Sequence, residues 1–183
     1  MAHVLLGVSG GIAAYRAADL TSQLLKAGHQ VRVVMTPSAT RFVGPLTFEA
    51  MSGHPVMTDA LAQAGTGTVS AVEHIEWAKW TDVAVVAPAT ANTLARLAHG
   101  FADEAISTVL LALPTGVPLV LCPAMNTAMW SHPLVQRNVA TLLDLPHTTL
   151  VPPTEKRLAC GDVGVGGLAE VVDIVAAVHA ALG

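Results

Sequence analysis

A short apolar run, His3-Val4-Leu5-Leu6-Gly7-Val8, breaks at Ser9-Gly10-Gly11, and a helical pattern starts directly after it. From residue 12 to 27 the positions Ala14, Ala17, Ala18, Leu20, Leu24 and Leu25 keep a 3.6-residue period, and Gly28 closes the stretch as glycine does just past a helix end. Val31-Arg32-Val33-Val34-Met35 then reads as a second strand. Strand, glycine turn, helix, glycine, strand within about thirty-five residues is a βαβ unit, and its crossover is right-handed in nearly all cases.

The pattern recurs. Residues 82–87, Asp-Val-Ala-Val-Val-Ala, form the continuous apolar run expected of a parallel strand covered on both faces. Helical stretches over 92–99 and 103–113 lead to a strand over 118–122, a helix over 133–143 leads to a weaker strand over 148–151, and a helix over 170–182 closes the chain. Two stretches interrupt this order: 52–72, rich in Gly, Thr and Ala, and 152–167, rich in Gly and Pro. Loops of that length inside a compact domain tend to be functional. The expectation is a single α/β domain over residues 1–183, a three-layer, doubly wound parallel sheet of the Rossmann or flavodoxin-like kind, with its ligand at the carboxyl ends of the strands.

Composition narrows the function. The chain is 52% hydrophobic and 12% charged, against roughly 25% charged in an ordinary soluble domain. Subunit contacts or a bound ring system would account for that deficit. Its apolar runs fall far short of the ~20 residues that a spanning helix needs, and no signal-peptide pattern opens the sequence, so a cytoplasmic protein is expected. With a net charge of −4 and scattered Lys and Arg, no basic stripe suits a nucleic acid. The two cysteines, Cys122 and Cys160, have no zinc-ligand spacing around them and read as free thiols.

A glycine turn between a strand and a helix presents backbone N–H groups to a phosphate. The turn here does not fit G-x-G-x-x-G, and taken alone it is equally a tight connection. A dinucleotide site would also want an acidic residue about 20 positions on, for the ribose hydroxyls. The second strand ends Val34-Met35-Thr36-Pro37-Ser38, with hydroxyls where that carboxylate would stand. This argues against NAD and leaves a mononucleotide such as FMN open. After the third strand, Pro88-Ala89-Thr90-Ala91-Asn92-Thr93 either caps the next helix or touches a ligand, and the sequence leaves both readings open.

Four segments together go beyond a generic α/β chain: residues 7–15 (Gly-Val-Ser-Gly-Gly-Ile-Ala-Ala-Tyr), His74-Ile75, residues 87–93 (Ala-Pro-Ala-Thr-Ala-Asn-Thr) and Pro123-Ala124-Met125-Asn126. On these the chain resembles the homo-oligomeric flavin-containing cysteine decarboxylases, over most of its length. The resemblance implies FMN as cofactor and, through the coenzyme A branch of that family, decarboxylation of 4′-phosphopantothenoylcysteine to 4′-phosphopantetheine without net redox change. It implies His74 as a catalytic residue assisting substrate oxidation, Asn126 as holder of the leaving carboxylate, and Cys160 as proton donor on a flap over the substrate. The flavin contacts it suggests are Ser9, Gly10, Gly11, Thr36, Ser38, Phe42, Pro88, Thr90 and Asn92, with Met125, Asn126, Ala159 and Gly161 around the substrate. Read without the resemblance, Asn126 equally caps a helix over the following residues, and Cys122 is a small core residue.

The flap departs from the family in one respect. A basic residue is expected after its last Gly-x-Gly, yet Gly167-Leu168 stands there, with Arg157 or Lys156 as the nearest basic stand-in. The resemblance further implies a homo-oligomer, a trimer or a dodecamer of trimers, and a phosphopantothenate–cysteine ligase as fused domain or partner protein. Two other readings remain: a different flavoprotein of the superfamily, acting on peptidyl cysteine or as a flavin prenyltransferase, and a non-enzymatic FMN-binding regulatory subunit.

Overall fold

The computed structural model describes residues 1–60, 73–157 and 163–183. Its centre is a five-stranded, all-parallel sheet in the order β2-β1-β3-β4-β5. The strands are β1 (His3–Val8), β2 (Gln30–Met35), β3 (Val83–Ala89), β4 (Leu119–Pro123) and β5 (Thr148–Leu150). All five expected strands are present: β1, β3 and β4 carry the apolar run that burial on both sides demands, while β2 and the short, partly exposed β5 form the edges. The strand order is the flavodoxin-like one, which reverses direction between β1 and β3.

Period-2 alternation sends side chains to two cores. Val4, Leu6, Val8, Val31, Val33, Val83, Val85 and Val120 face helices α1 (Arg16–Lys26), α2 (Pro45–Ser52) and α8 (Val171–Leu182), which add Leu20, Leu24, Phe48 and Ile174. Leu5, Val34, Ala84, Val86 and Leu121 face α3 (Glu73–Trp80), α4 (Ala91–His99), α5 (Ala105–Leu111) and α7 (Pro133–Leu143), with Trp77, Leu94, Ile106 and Leu142 among the buried partners. The result is three layers, and no helix among the described residues is long and apolar enough to cross a membrane.

Three expectations change. The first helix is split: a 3₁₀ turn over Ile12–Tyr15 precedes α1, so the chain winds more tightly where it leaves the glycine turn. Residue 52 ends a helix that the expectation left unassigned, and Met57 bridges to Val34 at the sheet edge. Most notably, 152–167 is not simply a loop. It contains an antiparallel hairpin, β6 (Thr154–Arg157) with β7 (Val163–Gly167). Three of β7's five residues are glycine, which carries no strand propensity, so the hairpin left no period-2 signal.

One contact pins the chain ends together. The Ala2 N–H donates to His29 Nδ1 at 3.3 Å, so a neutral His29 carries its proton on Nε2 and donates it to His179 Nε2 of α8 at 2.9 Å. Burial, then His179, then the amino terminus hold the His29 imidazole below its ordinary value of 6.5. The unfolded chain therefore binds more protons than the folded one below pH ~6.5, so this contribution is complete above that pH and is lost as the pH falls. The pair is solvent-accessible, so the effect is expected to be modest, under ~1 kcal/mol. Thermal melts at pH 7.5 and 5.5 should show a smaller acid-induced loss for His29→Gln than for the parent; equal losses would exclude the pair as a source.

Candidate active site at the strand tips

A cleft of about 730 Å³ opens beyond the carboxyl ends of β1, β3 and β4, at the switch point where this strand order places its ligands. Backbone architecture builds its floor. Ser9 is fully buried; its hydroxyl donates to the Pro88 carbonyl at 2.6 Å and accepts from the Thr90 N–H at 2.9 Å. Those two bonds stitch the turn after β1 to the turn after β3. Ser9 therefore sits behind the cleft rather than in its wall, while Pro88 and Thr90 line it.

Gly10 and Gly11 line the cleft as well. A Cβ at Gly10 would overlap the Ser38 side chain and stand 2.7 Å from its carbonyl carbon, so only glycine lets the β1 turn lie against the turn after β2. Thr36 is buried behind the same contact, 3.1 Å from Ser38 Oγ and accepting from the Ala39 N–H at 3.2 Å. Thr36, Ser38 and the half-exposed Phe42 do not line the cleft. Asn92 borders a shallower apolar groove beside Met129, His132 and Leu134 instead.

Thr90 caps α4 by accepting from the Thr93 N–H at 3.4 Å and also lines the cleft. Asn126 behaves alike. Its Oδ1 accepts from the Ala128 N–H at 2.8 Å, capping the single turn α6 (Thr127–Trp130), and the residue lines the cleft. With the carboxamide oxygen engaged by Ala128, an anion would be met by Nδ2–H₂, the donor end of the amide. Met125 lies beside it and donates its N–H to the Gly166 carbonyl at 2.9 Å, which docks the β6–β7 hairpin onto the Pro123–Asn126 segment as a side wall.

The charged residues among those lining the cleft are Arg16 and Lys156. Glu170, the N-cap of α8, bridges them: its carboxylate is 3.0 Å from Arg16 Nη2 and 2.6 Å from Lys156 Nζ. Lys156 Nζ also donates to the Leu168 carbonyl at 2.7 Å. The Lys156 hydrogen bond, then the Arg16 one, hold the Glu170 carboxyl below its ordinary value, and the Glu170 hydrogen bond raises Arg16. Both shifts favour the charged forms of Glu170 and Arg16.

His74 lies elsewhere. It is half-buried on α3, which packs against α5; its Nδ1 is buried with no hydrogen-bond partner among the described residues, and it does not line the cleft. Cys160, Ala159 and Gly161 lie outside the described residues. Cys122 is fully buried in β4, where desolvation pushes its thiol far above the ordinary value, as befits an inert core residue. Arg16 went unnoticed from sequence, since an Arg opening a helix also reads as solvated surface; its place directly after the glycine turn was the available signal.

The family model named Flavoprotein matches residues 1–183. The chain belongs to the Flavoprotein family. It is 46% identical to a probable phosphopantothenoylcysteine decarboxylase of Streptococcus mutans, over 94% of each chain. It is 48% identical, over 94% of its own length, to the coenzyme A biosynthesis bifunctional protein CoaBC of Bacillus subtilis, of which it spans 41%. Among solved structures, a mutant PPC decarboxylase complexed with pantothenoylaminoethenethiol superposes with a TM-score of 0.86 at 35% identity, covering 98% of this chain and 97% of that one. The FMN-dependent cysteine decarboxylase SpaF gives 0.82 at 33% identity, covering 100% and 98%. This Flavoprotein-family chain thus shares its fold over its whole length with proteins described as cysteine decarboxylases.

Proposed function

We propose that the chain decarboxylates 4′-phosphopantothenoylcysteine to 4′-phosphopantetheine, the coenzyme A reaction, with FMN as its cofactor and the cytoplasm as its compartment. The observation that carries this reading is the cleft itself, which gathers Gly10, Gly11, Pro88, Thr90, Met125 and Asn126 at one switch point. Its volume falls within the ~300–1,000 Å³ of small-molecule sites. Its walls fit a flavin mononucleotide: uncharged donors around the glycine turn, apolar side chains opposite, and no carboxylate at the end of β2 for a second ribose. A Cβ at Gly11 would meet only Thr90 Cγ2, at 3.6 Å, so the approach there is open.

The turn glycines and Thr90 would hold the cofactor, and the buried Ser9, Thr36 and Ser38 would fix the turns that present them. FMN supplies a two-electron acceptor, which a cysteine carboxylate needs because direct loss of CO₂ would leave an unstabilised carbanion. Asn126 would orient that carboxylate through Nδ2–H₂, and the hairpin would exclude water from above. Cys160, outside the described residues, takes the proton-donor role that the resemblance gives it. His74 lies outside the lining of its own chain's cleft, so its part in the reaction requires a second copy to bring it there. That requirement favours a homo-oligomer, for which exposed apolar side chains such as Leu134 and Met129 supply surface. The ligase that accompanies this activity in the bifunctional relatives would be a partner or a further domain.

Two measurements test the reading. Purified protein should be yellow and release FMN on denaturation, and it should liberate CO₂ from 4′-phosphopantothenoylcysteine. Protein that cannot take up FMN would end the flavin assignment; yellow protein inactive on this substrate but active on a peptide C-terminal cysteine would move it to the peptidyl branch.

A further inference from the structure

The Arg16–Glu170–Lys156 triad is more than a surface ion pair. Exposed pairs contribute little to stability, yet here two cations from opposite ends of the sequence meet at the wall of an otherwise neutral cleft. Their side chains retain only 24% and 30% of their exposure, while Glu170 between them keeps 51%. The carboxylate holds the pair from the solvent side, and the cations line the cavity. Among the described residues their donor capacity exceeds their partners: a guanidinium has five N–H donors and an ammonium three, of which Glu170, the neighbouring Tyr15 and the Leu168 carbonyl engage only part.

We propose that Arg16 and Lys156 are the specificity site for a phosphate monoester, and that the ester they bind is the 4′-phosphate of the substrate, with Glu170 as the positioning residue that keeps the two cations side by side. The assignment rests on the decarboxylase reading above. Planar guanidinium plus point-charge ammonium is a combination suited to a phosphate dianion. The glycine turn, with its backbone donors, serves the other phosphate in the system, that of FMN. Asn126 lines the same cleft, so one cavity offers a carboxamide for the substrate's carboxylate and a cation pair for its far anionic end.

The test compares 4′-phosphopantothenoylcysteine with pantothenoylcysteine on the FMN-loaded enzyme, for the parent, Arg16→Gln, Lys156→Gln and the double variant. Each single change should cut kcat/KM for the phosphorylated substrate about 10-fold, mainly through KM, as loss of one charged hydrogen bond does. The double variant should approach the rate on the dephosphorylated substrate, which stays unchanged throughout. Equal losses on both substrates, or undiminished discrimination, would overturn the assignment. So would loss of bound FMN in the variants, which would place the flavin phosphate on these cations instead. A second arm measures affinity for 4′-phosphopantetheine against pantetheine. If the parent releases no CO₂ from either substrate, the decarboxylase reading fails on its own, and a phosphate-dependent affinity that vanishes in the double variant still upholds the site; its absence from the parent would end the site as well.

Discussion

Asn126→Asp is expected to abolish decarboxylation while leaving the protein folded and yellow. The substitution is informative because Asn126 does two jobs that Asp splits apart. As the cap of α6, its Oδ1 accepts from the Ala128 N–H at 2.8 Å, and Asp caps as well as Asn. Local structure and stability should therefore change little. As the proposed holder of the substrate carboxylate, Asn126 acts through Nδ2–H₂, and an ionised Asp has no donor at all. Loss of one oriented donor costs about 10²–10³-fold in rate, and two carboxylates facing each other add repulsion that water in a half-closed cleft screens poorly. Turnover should drop by ~10³-fold or more. The check is CO₂ release beside a flavin spectrum and a melting curve. An active, yellow Asp variant would remove Asn126 from the chemistry and leave it a helix cap.

The sequence displays the sheet more openly than the site. Parallel strands buried on both faces must be apolar throughout, so β1, β3 and β4 stand out as uninterrupted runs with no competing interpretation. The cleft residues supplied by the backbone were legible for a related reason: Gly10, Gly11 and Pro88 lie in turns whose composition announces them. Side chains were harder, because a hydroxyl beside a site and a hydroxyl beneath it look alike in one dimension. Ser9 satisfies Pro88 and Thr90 from below, and Thr36 satisfies Ser38 and Ala39, so both support the wall without forming it. Arg16 and Lys156 were separated by most of the chain, and only the fold brings them to one carboxylate. His74 shows a limit of the other kind: it stands outside the lining of its own chain's cleft, and whether a second copy could bring it to one is decided by surfaces, which leave no motif.

Gly166→Ala should impair catalysis severely with little effect on global stability. In the folded chain the Met125 N–H donates to the Gly166 carbonyl at 2.9 Å, and the β7 backbone lies so close to residues 125–127 that a Cβ at Gly166 would overlap the Met125 carbonyl oxygen and sit 3.3 Å from both Met125 C and Thr127 N. All three obstacles are backbone atoms, so no rotamer change relieves them; the hairpin must lift or the segment bearing Asn126 must shift. Gly164 is a graded comparison, since the atoms nearest its added Cβ belong to the Thr127 side chain, which can turn aside. Gly164→Ala should therefore be milder. Among the described residues β6 and β7 pair with each other and not with the five-stranded sheet, whose two cores contain neither strand, so melting should move little. A displacement near 1 Å at a positioning segment costs about 10²-fold, and a drop of that size in kcat/KM is expected for Gly166→Ala, with FMN retained because the glycine turn and Thr90 are untouched. Steady-state kinetics on both variants, with flavin content measured in parallel, provide the check. Equal rates for Gly166→Ala and the parent would mean that the hairpin's close seat on Met125 plays no part in orienting Asn126.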